Sequence, residues 1–168
     1  MNSTEVLDDL FSRLAPEIER ALDGLSPDEL IAAPRAGANT IGWLVWHIAR
    51  VQDHHVGELL GVDQLWTSGE YADGFGLVPA ADDTGYGHSA EQVLAVRPRD
   101  TAVLFGYFDA VSARTREWLV TLADVDLDAV VDRRFDPPVT VGVRLVSVAC
   151  DGLEHAGQAA YLRGLLGR

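Results

Sequence analysis

Residues 39–61 read NTIGWLVWHIARVQDHHVGELLG, which is the pattern of one long helix. Asn39 is a favourable N-cap residue, and Gly61 is a favourable helix stop. Between them apolar side chains recur every three or four residues, which predicts a helix from about Thr40 to Leu60. His47 lies in the middle of this helix. The apolar positions are Ile41, Leu44, Val45, Ile48, Val51 and Leu59.

The same periodicity predicts three further long helices. One begins at Ser3 or Thr4, with Pro16 as a possible kink and Gly24 as a stop signal. The others are expected at about 99–123 and 140–166, with short helical turns after Ser26 and Ser89 and a short β-like segment within 127–138. Four main helices predict an all-α four-helix bundle. The length of 168 residues predicts a single domain over 1–168.

The connection between the second and third long helices covers about residues 62–88. It is rich in glycine, aspartate and aromatic residues, among them Trp66, Tyr71, Phe75 and Tyr86. A connection of this length is usually functional or disordered, and the aromatic content argues against disorder. We therefore expect a long, ordered crossover with a role in function.

The composition narrows the class of partner. A formal net charge of −13 argues against nucleic acid and anionic membranes as partners. No apolar run approaches the ~20 residues that span a bilayer. The only cysteine, Cys150, excludes an internal disulfide, and the N-terminus lacks a signal segment, so a cytoplasmic location is expected. All thirteen basic residues are arginine, which fits a high-GC, actinobacterial-like composition.

Two phrases carry candidate metal ligands. In DGLEHAGQ (residues 151–158), Asp151 and His155 are four residues apart, so a helix places both on one face. His47 would add a third ligand from another helix and leave a coordination position open, as in catalytic sites. Imidazole and carboxylate ligands suit Zn²⁺, and also Ni²⁺, Fe²⁺ or Mn²⁺. The alternatives are an ion pair on the surface and a hydrogen-bonded histidine in the core.

Four further residues lie near these ligands in sequence. Trp43, four residues before His47, could line a pocket or pack in the core. Arg50 and Arg144 could each bind a substrate carboxylate or pair with a nearby acid. Gln158, one turn beyond His155, could orient a ligand or bind within the bundle.

Other reactive side chains are expected to be bystanders. His54 lies about 10 Å along the helix from His47 and is expected at the rim or surface. We expect His88 to be solvated in the crossover and Cys150 to be a buried apolar thiol. No dinucleotide-binding, Walker A, nucleophile-elbow or C-x-x-C motif occurs, so catalytic chemistry would depend on the metal.

At these phrases the sequence resembles the DinB-like superfamily of metal-binding four-helix bundles. The phrase at 39–50 is similar to the second helix of that family, the phrase at 151–164 to its last helix, and residues 66–77 to its aromatic loop. The resemblance covers essentially the whole chain. It implies a four-helix bundle with a long crossover between helices two and three, and a metal bound by His47, Asp151 and His155.

Many members of this family have a histidine where this chain has Asp151. A carboxylate there is typical of the mycothiol-dependent branch, which includes maleylpyruvate isomerase, although glutamate is usual in that enzyme. Because aspartate is one methylene shorter, the helices must approach more closely or the metal must shift.

The resemblance implies a metal-dependent thiol S-transferase. The metal, expected to be Zn²⁺, would lower the pKa of a low-molecular-weight thiol, with mycothiol favoured by the composition. The thiolate would attack a small electrophile in a mouth lined by Trp66 and Tyr71, with Arg50 or Arg144 contacting the cosubstrate. Alternatives are an isomerase or hydrolase on the same metal, and a non-catalytic metal- or ligand-binding bundle. A homodimer is also possible.

Overall fold

Four helical limbs pack side by side in the computed structural model, which describes residues 1–69 and 71–168. The described helices are α1 (Ser3–Ser12), α2 (Leu14–Leu22), α3 (Pro27–Leu30), α4 (Ile41–Leu60), α5 (Leu65–Ser68), α6 (Ala90–Ala95), α7 (Thr101–Leu119) and α8 (Val141–Leu165). The described strands are β1 (Val130–Asp132) and β2 (Val139–Thr140), and single 3₁₀ turns cover Ala72–Phe75 and Asp124–Asp128. The all-α bundle predicted from periodicity is confirmed.

Helix α4 is the central limb and contacts both α7 and α8. Its N-cap is Thr40 rather than Asn39, because the Thr40 hydroxyl accepts the Trp43 amide at 3.1 Å. It ends as predicted at Gly61, whose φ of 67° is in the left-handed region that glycine adopts at little cost. Most side chains of α4 are buried, including His47 and Arg50. Polar groups on this helix therefore need partners inside the protein.

The first limb is divided into α1 and α2 at Arg13, and the break does not fall at Pro16. Pro16 lies in the first turn of α2, where a backbone N–H would have no partner within the helix. Proline is tolerated there, so the predicted kink at Pro16 is replaced by a break three residues earlier. α1 packs on α7, and α2 packs on α8.

The crossover between α4 and α7 is long, as predicted, and is ordered by buried aromatic side chains. Trp66 of α5 and Phe75 of the 3₁₀ turn are both buried in the core, and both rings contact the ring of Tyr107 on α7. The crossover is therefore packed against the bundle. Glu70, within the predicted aromatic loop, lies outside the described residues.

A small hairpin leads into the last helix. β1 and β2 pair antiparallel, which confirms the predicted β-like segment, and Thr140 at the end of β2 caps α8 by accepting the Val143 amide at 3.3 Å. The predicted helix over 140–166 is confirmed as Val141–Leu165. Among the described residues, no helix combines the length and apolarity that a membrane crossing requires.

Candidate metal centre

The three predicted ligands come together between α4 and α8. His47, Asp151 and His155 each offer a ligand atom, and these atoms lie within 4.8 Å of one another. His47 Nε2 is 3.9 Å from Asp151 Oδ2, and His155 Nε2 is 3.5 Å from Asp151 Oδ1. The short aspartate side chain therefore reaches both imidazoles.

The ring of His47 is fixed on two sides. Its Nδ1 donates a hydrogen bond to the Thr84 carbonyl oxygen, and its face stacks on Trp43 with ring centroids 4.6 Å apart. Because a carbonyl can only accept, Nδ1 carries the proton and Nε2 is left with a free lone pair toward Asp151. Burial lowers the pKa of His47, which favours the neutral imidazole that binds metals.

His155 is oriented in the same way by a residue on its own helix. Its Nδ1 donates to the Gln158 amide oxygen at 3.0 Å, so Nε2 again faces Asp151. The hydrogen bond with Asp151 raises the pKa of His155 above its usual value. In both imidazoles the nitrogen that points away from Asp151 is hydrogen-bonded to an oxygen acceptor, an arrangement typical of metal ligands.

Asp151 provides an independent test of whether a metal fits. Its Oδ2 is buried and has no hydrogen-bond partner. Burial works to raise the pKa of this carboxyl, but the hydrogen bond from His155 and the nearby imidazoles together hold the pKa below its usual value. An ionised carboxylate oxygen without a partner lies beside Nε2 of both histidines, and these three side chains are a donor set suited to a divalent cation when His155 gives up its proton.

His88 is a structural support, and the prediction that it is solvated was wrong. Its Nδ1 accepts from Trp43 Nε1 at 3.1 Å, and its Nε2 donates to Asp83 Oδ1 at 2.8 Å. The side chain is only 9% exposed and its ring stacks on Trp46. His88 therefore supports the tryptophan that stacks on His47.

Arg50 holds the part of the crossover that precedes Thr84. Its side chain is fully buried, and its guanidinium donates to the carbonyls of Ala80, Ala81 and Asp83, with the Asp83 bond at 2.9 Å. These bonds fix the chain immediately before Thr84, whose carbonyl orients His47. Arg50 is thus one step removed from His47, and its guanidinium does not face the cavity beside the cluster.

Asp53 is a buried structural residue that the sequence did not single out. Its buried carboxylate accepts hydrogen bonds from four groups: the backbone amides of Leu65 and Trp66, the Tyr107 hydroxyl and the Arg114 guanidinium. It also lies 3.6 Å from Arg50 Nη1. This carboxylate fastens the start of the crossover to α4 and α7. The available signal was its position three residues after Arg50, on the same helix face.

The other predicted site residues divide between a cavity and the core. A cavity of about 220 Å³ opens beside the cluster; it is lined by His47, Asp151 and Arg144, among others. Trp66 is buried against Trp46 and does not line this cavity. Tyr71 packs on Tyr107 and lines a different depression. The predicted aromatic mouth is therefore not formed by Trp66 and Tyr71.

Two more predictions concern reactive side chains nearby. Cys150 is exposed rather than buried, because it lies on the outer face of α8. His54 is half-buried at the edge, 3.3 Å from the Ala81 carbonyl, and is not part of the three-residue cluster. With His55 and Glu58 it forms a second group of ligand atoms within 4.8 Å.

Two histidines and a carboxylate converging between α4 and α8 of a four-limb bundle are the features of the DinB-like class. The model of the mycothiol S-transferase family matches residues 6–167, and the chain belongs to that family. A crystal structure described as the conserved protein of locus from Enterococcus faecalis is similar at 30% identity and a TM-score of 0.92, covering 100% of this chain and 99% of that chain. No curated protein matches the sequence.

Proposed function

We propose that this protein is a metal-dependent S-transferase that joins a low-molecular-weight thiol, mycothiol, to a small electrophile. The observation that supports it is the convergence of His47, Asp151 and His155 beside a cavity, in a chain of the mycothiol S-transferase family. The single cysteine and the thiol cosubstrate suit a reducing cytoplasm as the place of action.

The three side chains would hold the metal through Nε2 of each histidine and the carboxylate of Asp151. We expect Zn²⁺ here, and Ni²⁺, Fe²⁺ or Mn²⁺ are also compatible with this donor set. When bound, such a metal lowers the pKa of a coordinated thiol so that the sulfur is a thiolate at neutral pH. Trp43, Gln158 and the Thr84 carbonyl would keep the imidazoles in place.

At the electrophilic carbon, the transfer forms one bond and breaks one bond. The thiol sulfur forms a bond to an electrophilic carbon, the bond from that carbon to its leaving group breaks, and the leaving group departs with the electron pair. The thiol proton passes to water. The cavity walls Val51 and Val148 would exclude water from the acceptor, which favours attack by sulfur over hydrolysis.

The test is consumption of an alkyl halide by mycothiol with purified protein and added Zn²⁺ or Ni²⁺. We expect thioether formation well above the uncatalysed rate, and no acceleration with Asp151→Asn or His155→Ala. Metal content measured on the same samples should fall in both variants and stay near wild type in His54→Gln. Equal metal content in His155→Ala and wild type would contradict the assigned ligands. A metal-loaded protein that accelerates no thiol conjugation would contradict the transferase.

A further inference from the structure

The cavity beside the metal-ligand cluster is small and has walls of different character. Its volume of about 220 Å³ is below the ~300–1,000 Å³ of pockets that enclose drug-sized ligands. Val51 and Val148 provide apolar walls, and Asp151 belongs to the cluster. Arg144 and His55 form a third wall. The Arg144 guanidinium lines the cavity but is not one of the three candidate metal ligands.

Arg144 is held in this wall by long contacts that leave its charge incompletely neutralised. Its Nη2 lies 3.4 Å from Asp132 Oδ2, and its Nη1 lies 3.5 Å from His55 Nδ1. The Asp132 carboxylate already accepts three hydrogen bonds from the Arg134 side chain, the shortest at 2.7 Å. The Arg144 side chain is 18% exposed, so its charge is partly desolvated.

His55 does not add a charge to this wall at neutral pH. Burial, followed by the positive charge of Arg144, lowers the pKa of His55 to about 4. Glu58, 3.8 Å from His55, is 66% exposed and screened by solvent. The charged groups that line the cavity are therefore the Arg144 guanidinium and the Asp151 carboxylate. If Asp151 serves as a metal ligand, Arg144 is the charge that faces the cosubstrate.

We propose that Arg144 forms an anion subsite, and that the preferred electrophiles are small molecules with a carboxylate a few bonds from the reacting carbon. A guanidinium matches a carboxylate in geometry and charge, and the apolar walls suit the short hydrocarbon between the two groups. In a chain with twice as many acidic as basic residues, a cationic wall is not a consequence of overall charge. The substrate class rests on the proposed transferase, whereas the subsite itself does not.

The experiment compares two electrophiles of nearly equal size, 4-(chloromethyl)benzoate and 4-(chloromethyl)benzamide. All proteins contain Cys150→Ser, because the exposed thiol would itself be alkylated. In each reaction mycothiol sulfur replaces chloride. We expect Arg144→Gln to lower kcat/KM for the acid by about 10- to 100-fold, the range for a lost hydrogen bond to a charged group, and for the amide by less than about threefold.

Two variants act as controls. Arg144→Lys keeps the charge without the planar guanidinium and should retain more of the preference for the acid than Arg144→Gln. Arg13→Gln removes the same charge from an exposed position between α1 and α2 and should leave the acid-to-amide ratio unchanged. Equal losses for both electrophiles in Arg144→Gln, or a loss confined to the KM of the thiol, would overturn the proposal.

A binding measurement separates this proposal from the transferase. Calorimetry with the unreactive 4-methylbenzoate and 4-methylbenzamide on metal-loaded protein requires no turnover. We expect the acid to bind more tightly than the amide and to lose that advantage in Arg144→Gln. If this holds while no electrophile is consumed, the transferase fails and the subsite stands. Binding of the acid that is unchanged in Arg144→Gln would place the carboxylate elsewhere and overturn the subsite.

Discussion

At the residue scale, the candidate centre depends on which nitrogen each histidine presents. His47 is oriented by a backbone carbonyl from the crossover, and His155 by a side-chain amide one turn away. Removing a group that hydrogen-bonds a metal-binding histidine typically lowers metal affinity 10- to 100-fold, although that group does not touch the metal. The position of the Thr84 carbonyl is therefore expected to influence metal affinity at this candidate site.

Gly85 allows that carbonyl to approach His47. Its φ is +92°, and an added Cβ would lie 2.9 Å from His47 Nδ1 and 2.9 Å from the Trp46 ring. We expect Gly85→Ala to displace the segment, break the Thr84 to His47 hydrogen bond and weaken metal affinity by about 10- to 100-fold. The measurement is competition of the variant with a chelator of known affinity.

Gly87→Ala is the matched control, because Gly87 also has a positive φ, +75°, but has open space around its missing side chain. Both substitutions strain the backbone, but only the added methyl group at position 85 would contact His47. Equal metal affinities in the two variants would refute the role given to Gly85.

The pairing of Asp151 with His155 could be predicted from sequence because their spacing is a local property of a helix. The residues that orient His47 could not be predicted in this way. Thr84 and His88 are separated from it by 37 and 41 residues, in a segment without helical periodicity. Only the packed structure brings a particular carbonyl to a particular imidazole, and no local pattern encodes that contact.

At the scale of elements, the buried carboxylate of Asp53 joins α4, α5 and α7. Removing one partner of a buried ion pair costs about 3–5 kcal/mol, because the remaining charges stay buried without compensation. We expect Asp53→Asn to lower the free energy of unfolding by that amount, since Arg50 and Arg114 lose their counter-charge. Urea unfolding measures the change directly.

An exposed ion pair between α1 and the residue that follows it gives the comparison. Asp9 and Arg13 form an ion pair with both side chains largely solvated, so Asp9→Asn should cost less than about 1 kcal/mol. Similar losses in the two variants would mean that Asp53 is no more than an ordinary surface carboxylate.

The helices themselves were predictable because their apolar spacing is set by the helical repeat. The exact ends of the helices, and the breaks within them, were less predictable. The first limb divides at Arg13 although Pro16 is the stronger local signal, because a proline in the first turn of α2 satisfies the local rules without a kink. The crossover aromatics were predicted as mouth residues, yet Trp66 is buried because its ring fills the space between α4 and α7.

At the scale of the whole molecule, acid should loosen the contact between the chain end and α3. The hydrogen bond from Arg168, helped by those of Ser26, lowers the pKa of Glu29 from 4.5 to about 2. A carboxyl with a lowered folded-state pKa stabilises the fold above its unfolded pKa, and this contribution is lost as pH falls from about 4.5 to 2. Glu29→Gln should therefore show a shallower loss of unfolding free energy over that range.

Glutamine keeps the capping box of α3, so the comparison isolates the charge. Chemical unfolding at several pH values from 7 to 2.5 provides the curves. Because Glu29 is solvated, added salt should reduce the difference between the two proteins. Parallel curves for wild type and Glu29→Gln would show that the ion pair with Arg168 does not contribute.

Metal binding should stabilise the whole bundle, because its ligands join α4 to α8 across the core. A metal that binds only the folded state at a hundredfold excess over its Kd adds about 2.7 kcal/mol. For a chain of this size that corresponds to a rise in Tm of roughly 5–10 °C, reversed by a chelator. Asp151→Asn and His155→Ala should melt at the same temperature with and without metal. His54→Gln, which alters the neighbouring group with His55 and Glu58, should retain the full shift, and its loss there would move the stabilising site to that group.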